Sequence, residues 1–257
     1  MTIVEPSNSA TSEQRNSALS AAHDSLWPAT IFEPLRQLSS DRMMVIGQIG
    51  QTIDGRIATV TGHSKYINGP SGLRHLHRLR AVVDAVVVGV GTVIADNPLL
   101  TVRLEKAAHP ARVVIDPNRR LQEQPQIFND DGTRRVVITR KGTEYPAPQG
   151  VEVLYLPDVG GNISPSAILQ SLSDIGLNRI LIEGGADTVS RFMHAGCLDR
   201  LHVIVAPIIM GSGRAGFCLP AIETMDQAQR LTVHAHKLDD EVLFDCDLSA
   251  LRQTRKD

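Results

Sequence analysis

A chain of 257 residues with a net charge of −2, from 26 basic and 28 acidic side chains, carries no basic stripe suited to nucleic acid or an anionic membrane surface. Hydrophobic residues make up 42% and aromatics only 4%, so Val, Ile, Leu and Ala must build the core of one large domain, as in sheets buried on both faces. The cysteines, Cys197, Cys218 and Cys246, are odd in number and form no C-x-x-C pair, which argues against a disulfide framework or zinc ribbon. With no secretory pattern at the start and no run of membrane-spanning length, a reduced, cytoplasmic protein is expected.

Residues 1–40 are rich in Ser, Thr, Asn and Ala, and read as a partly ordered leader with one helix over Ser12–Ser25. A domain is expected over residues 41–257. Met43–Gln51 is its first strand, followed by the turn Thr52-Ile53-Asp54-Gly55 and a short strand over Arg56–Val60. Pro70–Ala81 reads as a helix: Pro70 suits a first turn, and Leu73, Leu76, Leu79 and Val83 recur at helical spacing toward a core. Val82–Val88 is the next strand, and Thr92–Ala95 a short helix stopped by Pro98. Ala111–Ile115, Arg135–Thr139 and Val151–Leu156 are β-branched or apolar runs bounded by turn residues, hence strands. A helix over Ser164–Asp174, a strand over Arg179–Ile182 and a helix over Asp187–Ala195 follow. Arg200–Ala206, Arg230–His236 and Glu241–Asp247 then read as strands without intervening helices, most simply antiparallel additions to a sheet edge. The fold class is α/β: a mixed, mostly parallel sheet with flanking helices and antiparallel C-terminal strands.

Two strands end in glycine turns that open into helices. One is Gly89-Val90-Gly91-Thr92 and the other Glu183-Gly184-Gly185-Ala186-Asp187-Thr188. Such turns let a backbone approach phosphate and point helix N–H groups at it. Two of them suggest a long ligand across several strand ends, a dinucleotide first of all. The first turn lacks the third glycine of a dinucleotide fingerprint, and tight strand–helix packing explains it equally well. In the second, Glu183 would repel a phosphate, so it is better suited to an uncharged polar ring or an amine, with the glycines facing a pyrophosphate. Arg80, on the flank of the Pro70–Ala81 helix, and Arg103, after the Leu99–Val102 run, are candidates to clamp a phosphate together. Arg140 and Lys141 follow a strand where they could meet a 2′-phosphate. His234 and His236 share a strand face without a third ligand at suitable spacing, so no metal is expected.

These stretches together carry a family resemblance. Thr52–Ala58, Gly62–Ile67, Leu79–Ala81, Val88–Pro98, Leu100–Arg103, Glu183–Gly185 and Ala206–Gly211 resemble, in order, the pyrimidine reductase domain of riboflavin biosynthesis. The resemblance implies a dihydrofolate-reductase-like fold and NADPH-dependent reduction of a phosphoribosylamino-pyrimidine, with hydride delivered to C1′ of the opened ribose. It implies a cofactor site of Gly50, Tyr66, Gly91, Thr92, Asp96, Gly184, Gly185, Ala186, Asp187 and Thr188. Ser64, Arg80, Leu100, Arg103 and Glu183 would meet the substrate, Glu183 and Asp54 having catalytic roles, Asp54 by shaping the turn near the nicotinamide. The bifunctional bacterial enzymes tend to carry a lysine where this chain has Gln48, and a deaminase domain upstream. In both respects the chain is similar to the stand-alone type, for which a homodimer is implied. The apolar, continuous run His202–Ile209 is the expected interface, at an edge of C-terminal strands that needs covering. A related reductase of another carbonyl, imine or pterin, and a nucleotide-binding protein without turnover, are the alternatives.

Overall fold

The computed structural model describes residues 31–39, 42–121 and 124–253. The expected helix over Ser12–Ser25 lies outside them, as does most of the expected leader. Its last residues pack: a short helix α1 (Glu33–Arg36) inserts Leu35, with Ile31 and Phe32 before it, into the core. Packing therefore extends N-terminal of the expected boundary at residue 41.

The chain continues through β1 (Met44–Thr52), β2 (Arg56–Thr59), α2 (Pro70–Arg80), β3 (Ala85–Gly89), α3 (Val90–Asp96), β4 (Ala111–Ile115), β5 (Arg135–Arg140) and β6 (Val151–Leu156). A small hairpin, β7 (Asp158–Val159) and β8 (Asn162–Ile163), leads into α4 (Pro165–Asp174), β9 (Arg179–Ile182) and α5 (Ala186–His194). The last elements are β10 (Arg200–Ala206), β11 (Gly213–Ala215), β12 (Thr232–Leu238), β13 (Glu241–Asp247) and α6 (Ser249–Gln253).

Nine strands form one sheet in the order β12-β13-β10-β1-β9-β3-β4-β5-β6. Pairing is parallel from β10 to β6, and antiparallel only at β10–β13 and β13–β12. This is the expected mixed, mostly parallel architecture, with one correction: β10 is an interior strand parallel to β1. His202, Val203, Ile204 and Ala206 are buried within the subunit, so of the run His202–Ile209 only the segment after β10, with Ile208 and Ile209 exposed, is free to meet a partner. The apolar character of β10 serves a strand covered on both faces. Strand β2 stands where expected, whereas its partner β11 and the hairpin β7–β8 are new, because strands of two or three residues carry no periodicity to read.

Alternate residues of each strand enter separate cores. Val45, Ile49, Val87, Ile180 and Ile182 join α4 and α5 on one face; Ile46, Val86, Val88, Leu181 and Ile204 join α2 and α3 on the other. Since β9 comes late in the chain yet lies between β1 and β3, a crevice opens where these strands end between opposed helix layers, which is where open α/β sheets bind ligands.

Helix α2 borrows its N-terminal cap from β13. The buried Glu241 carboxylate accepts the N–H groups of Gly69 at 3.0 Å and Gly72 at 2.8 Å, and Asn68 Nδ2 at 2.8 Å. A carboxylate there meets the orphan donors and the positive end of the helix dipole. The inward face of α2 is more polar than its leucine spacing implied. Leu79 is buried, but so are His75, His77 and Arg80, whereas Leu73 is 46% exposed. His75 Nε2 lies 3.0 Å from His202 Nδ1, His202 Nε2 faces Asp245 at 3.3 Å, and Arg200 forks onto the same carboxylate. These bonds tie α2 to the sheet and hold Asp245 well below the usual carboxylate range, despite its burial.

Candidate active site

At the ends of β1, β9, β3 and β4 lies a cleft of about 1390 Å³. That exceeds the volume of ordinary single-ligand sites, roughly 300–1,000 Å³, and accommodates two ligands side by side.

Its centre is where the two glycine turns meet. Thr92, in the first turn of α3, accepts the Gly185 N–H at 3.0 Å, and a Cβ on Gly184 would fall 2.7 Å from the same hydroxyl. Gly184 also has φ of +106°, a conformation that strains other residues. Reciprocally, a Cβ on Gly89 would come within 2.5 Å of Thr188 Oγ1 on α5. Each turn thus carries a glycine because the threonine of the opposite helix occupies its side-chain space. Gly91 has nothing within 4 Å of its Cβ position and leaves the cleft wall open. Gly185, Ala186, Asp187 and Thr188 line the cleft at the start of the nine-residue helix α5. Their approachable backbone and the helix dipole fit an anionic group of a nucleotide. Asp187 is engaged by Arg191 at 2.9 Å, which reduces its repulsion of such a group.

Gly50, Tyr66 and Asp96 also face the cleft. A side chain at Gly50 would have to displace Asn68, whose Oδ1 fills the Cβ position. Tyr66 stands at the mouth with φ of +69° and 88% of its surface exposed.

The other end is built around an ion pair. Arg80 Nε and Nη2 donate to Glu183 Oε1 and Oε2, both at 2.7 Å, and Arg80 Nη1 donates to the Thr101 carbonyl at 3.2 Å. The two side chains are 8% and 6% exposed. The two residues expected to meet different parts of the substrate are thus bonded to each other. The guanidinium fork that was to clamp a phosphate is occupied by the carboxylate that was to meet the pyrimidine, and only one N–H on each of Nη1 and Nη2 is left for a ligand. Ser64 and Leu100 line the same end.

Arg103 is not part of the lining. Its amide donates to His77 Nδ1 at 3.0 Å, and its guanidinium reaches Thr101 Oγ1 at 3.4 Å. Joint clamping by Arg80 and Arg103 is therefore not assembled in this conformation. Asp54 is also outside the cleft wall. Its carboxylate accepts Thr52 Oγ1 at 2.6 Å and the amides of Met210 and Gly211, which hold it down at about 2. As an ionised acceptor it ties the Thr52 turn to the Met210–Gly211 loop, a turn-shaping contact. Among the described residues no group of three His, Cys, Asp or Glu side chains is placed to hold a metal.

Some cleft residues were missed. Gln48, 8% exposed, lines the floor beside Glu183, and a polar residue in an apolar strand was its visible signal. Arg120 lines the β4 end, whereas Arg140 and Lys141 do not reach the cleft. Which strand-end loop faces the ligand depends on strand order, which local sequence does not encode.

Comparison with known proteins agrees with this geometry. The family model described as "RibD C-terminal domain" matches residues 43–243. The chain is 36% identical over 180 residues to the riboflavin biosynthesis protein RibD of Aquifex aeolicus, covering 68% of this chain and 49% of that protein. It is 33% identical over 193 residues to the 2,5-diamino-6-ribosylamino-4(3H)-pyrimidinone 5′-phosphate reductase of Methanothermobacter thermautotrophicus, covering 72% of this chain and 87% of that one. Among solved structures, a diaminohydroxyphosphoribosylaminopyrimidine deaminase/5-amino-6-(5-phosphoribosylamino)uracil reductase from Thermotoga maritima superposes with a TM-score of 0.70 at 27% identity, over 85% of this chain and 59% of that one. The chain spans about half the length of the first RibD relatives it matches, 49% and 57%.

Proposed function

The chain belongs to the RibD C-terminal domain family, and from that premise we propose that it is an NADPH-dependent reductase of riboflavin biosynthesis. Its reaction converts the ribosyl group of a 5-amino-6-(5-phosphoribosylamino)pyrimidine to the ribitylamino product. The observation that carries the reading is the buried Arg80–Glu183 pair set beside the Gly184–Gly185 turn in one two-ligand cleft. The turn and the α5 N-terminus are suited to the cofactor's phosphates, and a bound reduced nicotinamide supplies the hydride.

The chain's own residues bind and orient. Glu183 keeps lone pairs free of Arg80 for donors on the pyrimidine, and Arg80 offers its remaining N–H groups to the sugar phosphate. Leu100 and Ser64 complete the substrate end. Because Arg80 and Glu183 hold each other, this floor is rigid before substrate arrives, which is the preorganisation that orientation-driven hydride transfer needs. The purified protein should oxidise NADPH with the phosphoribosylamino-pyrimidine in equal amounts and restore growth of a reductase-deficient riboflavin auxotroph. Nucleotide binding without turnover of that substrate would rule the function out.

We further propose a homodimer. Strand β12 is bonded on one side only, and Val233 on it and Phe244 on β13 are exposed, so this edge is in need of cover. Light scattering should return about twice 27.9 kDa; a monomer at micromolar concentration would reject the proposal.

A further inference from the structure

We infer that Glu241, at the start of β13, is a positioning residue for the reaction and acts through Asn68. The inference rests on the reading of the cleft as a reductase site. Lys65, Tyr66, Ile67 and Asn68 form one stretch of the cleft wall, as does Gly50 on β1. Asn68 anchors that stretch. Its Nδ2 donates to Glu241 Oε1 at 2.8 Å, and its Oδ1 lies 1.6 Å from where a Cβ on Gly50 would stand. An ionised carboxylate only accepts. The NH2 side of the Asn68 amide therefore faces Glu241, which turns Oδ1 toward Gly50 and the cleft. Among the described residues no N–H or O–H donates to Oδ1, so this acceptor is available to a donor on a bound ligand.

The surroundings of Glu241 are shaped to hold this arrangement. The residue is buried, and the amides of Gly69 and Gly72 share its carboxylate with Asn68, so the wall and the first turn of α2 hang on one anchor. A Cβ on Gly72 would fall 2.7 Å from Glu241 Oε2 and 3.1 Å from Asn68 Cβ. Glycine is a poor helix former, and it stands in this helix because the carboxylate and Asn68 take its side-chain space. The far end of α2 is fixed separately, since Arg80 is bonded to Glu183 and to the Thr101 carbonyl. Loss of Glu241 should therefore loosen the wall at Asn68 and leave the Arg80–Glu183 floor in place. Hydride transfer is sensitive to such a displacement, a misplacement of about 1 Å costing on the order of 10²-fold.

Steady-state kinetics with NADPH and the phosphoribosylamino-pyrimidine, together with melting temperatures, test this on the full chain, Asn68→Ala, Glu241→Ala and the double variant. Asn68→Ala keeps the cap on Gly69 and Gly72, so it should melt near the parent. It should nevertheless lose roughly 10- to 100-fold in kcat with both ligands saturating. Glu241→Ala should melt lower, its helix start still tied to the hairpin by the Ser71–Asp239 bond, and show a similar fall in kcat. The pyrimidine KM should stay within about threefold of the parent's in both, because the floor is untouched. The double variant should lose no more kcat than Asn68→Ala alone, since Glu241 acts through that side chain. A Glu241→Ala protein that melts lower but keeps the parent's kcat would make Glu241 a helix cap only, overturning the inference and leaving the proposed function standing. Multiplied losses in the double variant would overturn it too. So would the parent's kcat in Asn68→Ala, a result that decides the matter even where Glu241→Ala does not fold. A parent without turnover of the pyrimidine would overturn the inference and the proposed function together.

Discussion

Replacing Arg80 by Ala should lower stability by about 3–5 kcal/mol, because it strands the buried Glu183 carboxylate without its partner. For a domain of this size that is a fall in melting temperature of roughly 6–20 °C. Activity should fall as well, by on the order of 10²-fold in kcat/KM, since both the remaining N–H groups and the position of Glu183 are lost. The paired variant Arg80→Met with Glu183→Leu separates the two effects. Two apolar side chains of similar volume remove both charges at once, so most of the stability should return, while turnover should not. Denaturant unfolding and steady-state kinetics on the parent and both variants read this directly. If Arg80→Ala unfolds at the parent's denaturant midpoint, the pair does not hold the floor of the cleft and the argument for a rigid site fails.

Acid should destabilise the protein well above the range in which carboxylates titrate. Burial, reinforced by the charges of Arg80 and Arg103, pushes His77 down to about 4 from an ordinary value near 6.5. Burial and the neighbouring His202 also hold His75 well below that value. A depressed histidine binds its proton more readily in the unfolded chain, so stability is fully present above about pH 6.5 and declines as pH falls. For His77 the decline spans pH 6.5 to about 4 and amounts to on the order of 3 kcal/mol. His77→Asn keeps a side-chain acceptor for the Arg103 amide but removes the titrating ring. Its unfolding free energy should be flatter than the parent's over that interval. Equal slopes in the two proteins would mean that the fold does not hold His77 below its ordinary value.

The periodicities of this chain by themselves determined most of its elements. Apolar runs such as Ala85–Val88 and Arg179–Ile182, and the leucine spacing of Pro70–Arg80, are local patterns, and the strands and helices stand where they predict. The ordered motifs likewise indicated the family, and both glycine turns were legible as candidate ligand turns, whereas their close packing against Thr188 and Thr92 was not. Only the tertiary structure decided how these pieces meet. Arg80 and Glu183 lie 103 residues apart, and no local rule says that the guanidinium of one is spent on the carboxylate of the other. The same holds for Glu241, which caps α2 from a distance of 169 residues. Strand order was equally hidden: it buries β10 inside the sheet and turns the loop at Arg120, rather than that at Arg140, toward the cleft. The physical reason is common to all three. Secondary structure follows from interactions within a few residues of the chain, whereas partner choice among buried charges and strands is settled by the packing that brings distant segments into contact.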